Sequence, residues 1–189
     1  MNTTAWIIVA IIVVLLFFGV SIYNALIQLK NKVEEAWADI ETQLKRRYDL
    51  IPNIVETVKG YASHEKNTFE EVTKARSMAM QAGSLEERAN AENMLSGTLK
   101  SLFALAENYP ELKANQNFLD LQQTLKDIEE HLQLSRRYYN ATVRDFNTKI
   151  EIFPNNVFAG AFHFAKREFF EVEKPEEREN VKVSFGEKP

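Results

Sequence analysis

FLDLQQTLKDIEEHLQLSRRYYNATVRDFNTKIEIF, residues 118–153, is the stretch on which the fold turns. Phe118, Leu121, Leu125, Ile128, Leu132, Ser135, Tyr139, Thr142, Phe146, Lys149 and Phe153 recur every three or four residues, the spacing of one helical face. The seam persists over five heptads, with Ser135, Thr142 and Lys149 weakening its second half. One long helix with a single apolar seam needs partner helices, which predicts a bundle with crossing angles near 20°.

Upstream, Val33, Trp37, Ile40, Leu44, Tyr48, Ile51, Val55, Val58 and Ala62 form a second such stripe. Pro52 lies inside it and predicts a kink or restart, because proline removes one backbone hydrogen bond. Phe69, Val72 and Met80 begin a third stripe, with Gly83 as its expected C-cap. Ser84 followed by Glu87 has the spacing of a capping box opening the next helix. Leu95, Leu99, Leu102 and Tyr109 line that helix, and Tyr109–Pro110 ends it. No hairpin turn or sustained alternation competes with the helical reading. Connections are short, so successive helices are expected to run antiparallel.

Charge is unevenly distributed. Residues 1–29 contain no Asp, Glu, Lys or Arg, so all 50 charged side chains (23 basic, 27 acidic) lie in residues 30–189. Within the charge-free part, AWIIVAIIVVLLFFGVSI (Ala5 to Ile22) is 18 residues long, about 27 Å as a helix, close to the hydrocarbon thickness of a bilayer. Trp6 and Tyr23 bracket it like interfacial belts. A cleaved signal peptide would carry a basic n-region and a small-residue cleavage site, and neither is present. The expected organisation is a membrane anchor and exit at 1–29, a helical bundle at 30–170, and a charged, disordered tail at 171–189. Lys30 and Lys32 follow the anchor and nothing basic precedes it, which puts the C-terminal domain on the cytoplasmic side.

The net charge of −4 argues against nucleic acid as a partner, since phosphate binding needs excess Lys and Arg. Cysteine is absent, which excludes disulfides, thiolate catalysis and cysteine-ligated zinc. His64-Glu65 starts like the helical zinc motif H-E-x-x-H, but Thr68 stands where the second imidazole belongs. The residues three before His64, His131 and His163 are Tyr61, Ile128 and Gly160, so no Glu-x-x-His pair for a di-iron bundle exists. His64 is expected near a helix junction, with Ser63 as the cap of the next helix. No phosphate loop, nucleophile elbow or kinase signature occurs. No catalytic, cofactor-binding or metal-ligating residue is therefore expected, and the chain is read as no enzyme.

The arginines are more informative. Arg47, Arg76 and Arg136 have no Asp or Glu at i±3 or i±4, and each falls on or beside an apolar stripe. Two readings lead: their stems cover the core while the heads reach water, or they pair across helices and set register; a phosphate or lipid-headgroup site is a distant third. For Arg136 the better partner is Asp49, with Glu56 also on the facing helix. Phe158 to Phe170, FAGAFHFAKREFF, either covers the bundle, mediates self-association or lies on a bilayer, with core covering favoured.

Several strings resemble the LemA family: YNALIQLKNKVEEAWADIETQLKRRYDLIPNIVETVKGYASHE (Tyr23 to Glu65), AENYPELKANQNFLDLQ (Ala106 to Gln122), RRYYNATVRDFNTKIEIFP (Arg136 to Pro154) and the final aromatic patch. The resemblance implies one N-terminal transmembrane helix, a soluble four-helix up-and-down bundle and a bacterial or archaeal cell membrane. It implies no established enzymatic activity or cofactor, and the family's name is shared with an unrelated sensor kinase whose motifs are missing here. Some relatives are linked to membrane organisation and to membrane metalloproteases of the heat-shock type. The expected role is thus a membrane-anchored interaction or scaffolding module, touching lipid through residues 5–22 and other membrane proteins, or a further copy of itself, through the bundle. The rival readings are membrane remodelling and an enzyme with a site composed from several helices.

Overall fold

A computed structural model describes residues 3–170, and every regular element among them is helical. In chain order these are α1 (Thr3–Lys59), α2 (Lys66–Gln81), α3 (Leu85–Ala106), α4 (Pro110–Lys113), α5 (Gln116–Glu151) and α6 (Asn155–Ala161). The tail at 171–189 lies outside the described residues.

α1 runs for 57 residues, about 85 Å. Its N-terminal part is long and apolar enough to span a membrane, with a mean hydropathy of 2.8 over its most apolar stretch and almost no burial there. An apolar run that the fold leaves uncovered is a lipid-facing surface and not the core helix of a soluble protein. The same helix continues into the bundle without a break. Ile22 and Leu26, at its membrane exit, already belong to the core, so the bundle begins inside the segment expected to be anchor and exit.

α5 lies antiparallel to α1. Ile51, Ile54 and Val58 share a core with Phe118 and Leu125, whereas Ile22, Leu26 and Val33 share one with Phe146 and Ile150. α2 closes only the distal half, with Phe69 and Val72 in the first core, while α3 adds Leu95 and Leu102 to that core and Ala89 to the second. The far end is therefore a four-helix up-and-down bundle of α1, α2, α3 and α5. The membrane-proximal end is the α1–α5 pair covered by α6 and Phe170.

Local signals explain most boundaries. Ser84 accepts from the Glu87 amide while Glu87 accepts from the Ser84 amide, so the capping box opens α3 as its spacing predicts. Pro110 sits in the first turn of α4, where its missing N–H costs nothing. Asn115 caps α5 by accepting from the Phe118 amide.

Four details differ from the sequence reading. Of the kink or restart expected at Pro52, the restart does not occur, since α1 runs through it as one helix. α2 buries Ala75 and Ala79 and exposes Met80, and Glu65, not Ser63, is its N-cap. The α5 seam ends on Val143, Phe146 and Ile150, while Phe153 is exposed. The last has a simple cause: a straight helix drifts about 20° per heptad from a 3.5-residue repeat, so after several heptads the buried stripe has moved on by one residue.

Candidate functional site

Where the helices meet in the distal half, their polar residues converge. Pro52 has no N–H, so the carbonyl of Tyr48, four residues earlier, loses its helical donor. Arg76 of α2 donates its Nε–H to that oxygen at 2.7 Å. Helix α1 continues because a neighbouring helix satisfies the group that proline orphans. This is also what Arg76 does on an apolar stripe: neither reading of its charge, snorkelling or an ion pair across helices, anticipated a backbone acceptor.

Arg47, one residue before Tyr48, points into the bundle and is 1% exposed, as is Glu92 of α3. Its Nη1 donates to Glu92 Oε2 at 2.6 Å, and its Nη2 reaches Ser96 Oγ and Glu129 Oε1, each at 2.8 Å. The Tyr48 hydroxyl donates to the other oxygen of Glu92. Arg136 of α5 places its guanidinium 3.8 Å from Glu92 and stacks over the Phe170 ring at 4.9 Å. Two guanidinium groups thus face two carboxylates, and α1, α3 and α5 each contribute at least one charge. A charge buried this far from water is tolerable only when paired in this way.

Tyr48 and Arg136 keep their ordinary protonation states. Burial first, and then the hydrogen bond and charge of Glu92, push the Tyr48 phenol well above its usual value, so it stays neutral. Burial pulls Arg136 down while Glu92 draws it back up; a guanidinium starts so high that it remains charged. Burial also raises Tyr139. None of the three shifts brings a group to titrate near neutrality, the condition a general acid or base requires.

Of the residues singled out from the sequence, Arg47 and Arg136 meet at Glu92, and Arg76 bonds the backbone of the neighbouring Tyr48. Asp49 does not. It follows Arg47 by two residues, about 200° around the helix, and is exposed. The partner of Arg136 is Glu92, which sequence reasoning missed. The signal was present: Glu92 precedes Leu95 by three residues and so continues the Leu95, Leu99, Leu102 stripe. Glu56 is exposed and pairs locally with Lys59. Trp6 stands exposed, while Tyr23 packs its ring on Phe162 at 4.8 Å between centroids.

Beside the ion pairs a groove of about 870 Å³ opens between α3 and α5. Leu99, Phe103 and Leu119 give it apolar walls, and Lys100, Lys126 and Asp120 lie along it. His64 is exposed in the turn between α1 and α2, away from the groove. Among the described residues no three His, Cys, Asp or Glu side chains gather as a metal-binding group. The arrangement can hold helices in register and can receive an amphipathic partner.

A model of the LemA family matches residues 36–185. The chain is 27% identical over 140 residues to Protein LemA of Metamycoplasma hominis, covering 72% of this chain and 63% of the relative. It is 22% identical over 179 residues to Magnetosome protein MamQ 2 of Paramagnetospirillum magneticum, covering 81% of this chain and 65% of the relative. Magnetosome protein MamQ of Magnetospirillum gryphiswaldense is 23% identical over the same length with the same coverage. The chain spans just under two thirds of the length of these relatives.

Proposed function

The chain belongs to the LemA family, and on that premise we propose that it is a membrane-anchored interaction or scaffolding module with no reaction of its own. The observation that carries this reading is the continuity of α1 from Thr3 to Lys59. One helix crosses from the apolar anchor through the whole bundle, so the bundle is held upright and its distal end stands at a set distance from the bilayer. A rigid post of this kind positions a partner. The α3–α5 groove is the surface that receives it, because it combines apolar walls with charges of both signs. Neutral Tyr48 and charged Arg136 favour a structural role for the buried polar groups over proton transfer.

The partner is another membrane protein, with a heat-shock-type membrane metalloprotease as the first candidate, given the relatives linked to such enzymes. The bundle lies on the cytoplasmic side, supported by Lys30 and Lys32 after an N-terminal stretch without basic residues. Protease added outside spheroplasts should leave the bundle intact; its digestion there would reverse the orientation.

Photocrosslinking in intact membranes tests the role. A photoreactive residue at Leu119, on the groove, should give discrete adducts with another protein, while one at the exposed Met80 of α2 should give few. Adducts no more abundant from the groove than from Met80 would remove the groove as the interaction surface. No protein adducts from either position would remove the scaffold reading.

A further inference from the structure

Between Glu151 and Lys166 the chain reads IFPNNVFAGAFHFA, 14 residues without Asp, Glu, Lys or Arg. The two flanking charges pair with each other and close the base of a loop. α5 brings the chain down to this loop beside the membrane exit of α1, α6 forms its middle, and His163, with φ of 58°, sits where the chain turns back. On the way up Phe164 packs near Phe146 and Tyr23, Arg167 pairs with Glu34 at 3.1 Å, and Phe170 is buried.

The depth of the loop can be read from α1. The Phe158 ring lies so close to Gly19 that a Cβ there would stand 3.0 Å from Phe158 Cε1. Any larger residue at this crossing would press on the ring, so glycine lets Phe158 lie directly against α1. Gly19 lies inside the apolar run, four residues before Tyr23 at its interfacial end, about 6 Å along the helix axis. Phe158 and Phe162 also share a small apolar cleft with Leu15, Leu16 and Val20. α6 therefore covers the membrane-proximal end of the bundle through Ala159 and reaches past it along the apolar part of α1 through Phe158 and Phe162.

The outward side of this loop is apolar and uncovered. Phe153 is 81% exposed, Val157 61% and Phe162 54%, and Ile152 is exposed as well. At the same level the residues of α1 expose their own apolar side chains. The two surfaces are continuous, and what covers one covers the other.

We propose that residues 152–165 insert into the leaflet through which α1 emerges, giving the chain a second, monotopic membrane contact beside its transmembrane helix. The occupant of the exposed face is lipid at the border of headgroups and acyl chains. Exposed Asn156 in α6 sets that limit, because an amide in the hydrocarbon centre would lack partners, whereas at the border water and headgroups supply them. Glu151 and Lys166 mark the headgroup level on both arms. The insertion gives the anchor a fixed rotation about its own axis, since one side of α1 is taken by α6. It does not depend on the bundle having a protein partner.

The chain contains no cysteine, which makes single reporters clean. F153C, V157C and, as reference, L134C are introduced separately into the full chain, labelled with a fluorophore, and reconstituted in phosphatidylcholine vesicles. All three side chains are exposed, so folding is retained, and circular dichroism verifies it. Leu134 lies 17 residues before Glu151 on α5, about 25 Å from the loop. Lipids carrying a nitroxide high on the acyl chain should quench labels at 153 and 157 several-fold more than at 134, and aqueous iodide should show the reverse order. Iodide quenching at 153 and 157 equal to that at 134 would overturn the insertion. So would labels at those positions shielded from both quenchers and coupled to one another between molecules, which would assign the face to a second copy of the chain.

Discussion

Arg76 on α2 donates its Nε–H to the carbonyl oxygen of Tyr48 on α1 at 2.7 Å, and that carbonyl is the one Pro52 deprives of its helical amide. The contact accounts for an uninterrupted α1, and through α1 for a bundle rigidly joined to its anchor. It also makes two residues 24 apart in sequence thermodynamically dependent on each other.

Arg76→Met should therefore destabilise the chain by about 1–3 kcal/mol, the usual cost of leaving a partly buried acceptor unpaired. In a Pro52→Ala background residue 52 regains its amide and serves the Tyr48 carbonyl, so the same substitution should cost clearly less. Denaturation of the full chain in detergent, followed by circular dichroism, reads both. Equal costs in the two backgrounds would separate Arg76 from the proline.

Arg47 and Glu92, each 1% exposed, should behave as a unit. Removing either charge alone, as in Arg47→Met or Glu92→Leu, should cost about 3–5 kcal/mol, because the other remains buried without its counterpart. The double variant should recover much of that loss, leaving Arg136 facing Glu129. Additivity in the cycle would show that the two charges do not depend on each other.

Arg136 should couple to Glu92 and not to Asp49. In a cycle of Arg136→Met with Asp49→Leu the effects should add to within about 0.5 kcal/mol, while Arg136→Met with Glu92→Leu should show an interaction energy above that. A sizeable Asp49 term would return Arg136 to the facing helix.

The drift of the α5 seam predicts opposite fates for adjacent residues. Ile150→Ala and Leu125→Ala should each cost about 2–5 kcal/mol as core truncations, whereas Lys149→Ala and Leu134→Ala should stay within about 0.5 kcal/mol. The buried members of this set are Ile150 and Leu125, and Leu134 is exposed. A large loss at Lys149 with none at Ile150 would place the strict heptad back in the core.

Stability should fall at alkaline pH. The folded Tyr48 phenol titrates above its unfolded value of about 10. A raised folded value means the fold favours the protonated form, so the contribution is complete below about pH 10 and is lost as pH rises through the folded value. Tyr48→Phe cannot ionise and should flatten part of this loss. Tyr139, raised in the same direction, should retain the remainder. Denaturation midpoints at pH 8 and pH 10.5 compare the two proteins; the same drop in both would exclude Tyr48 as a source.

Helix content, the anchor and the α3 cap were legible in the sequence because each is a local property. The 3.6-residue recurrence along 118–146, the charge-free run before Lys30 and the Ser84–Glu87 spacing involve residues within a few turns of one another. Who pairs with the arginines was not local. Arg47 and Glu92 are 45 residues apart, and Arg136 reaches Glu92 across a third helix. Periodicity shows that a charge lies on a buried face, but only the rotation and register of packed helices decide which carboxylate meets it. The same holds at the membrane end. The 14 uncharged residues before Lys166 are visible in the sequence, yet their depth follows from one tertiary contact, Phe158 against Gly19. Apolar character is written residue by residue, whereas its position relative to a bilayer is set by the helix it packs on.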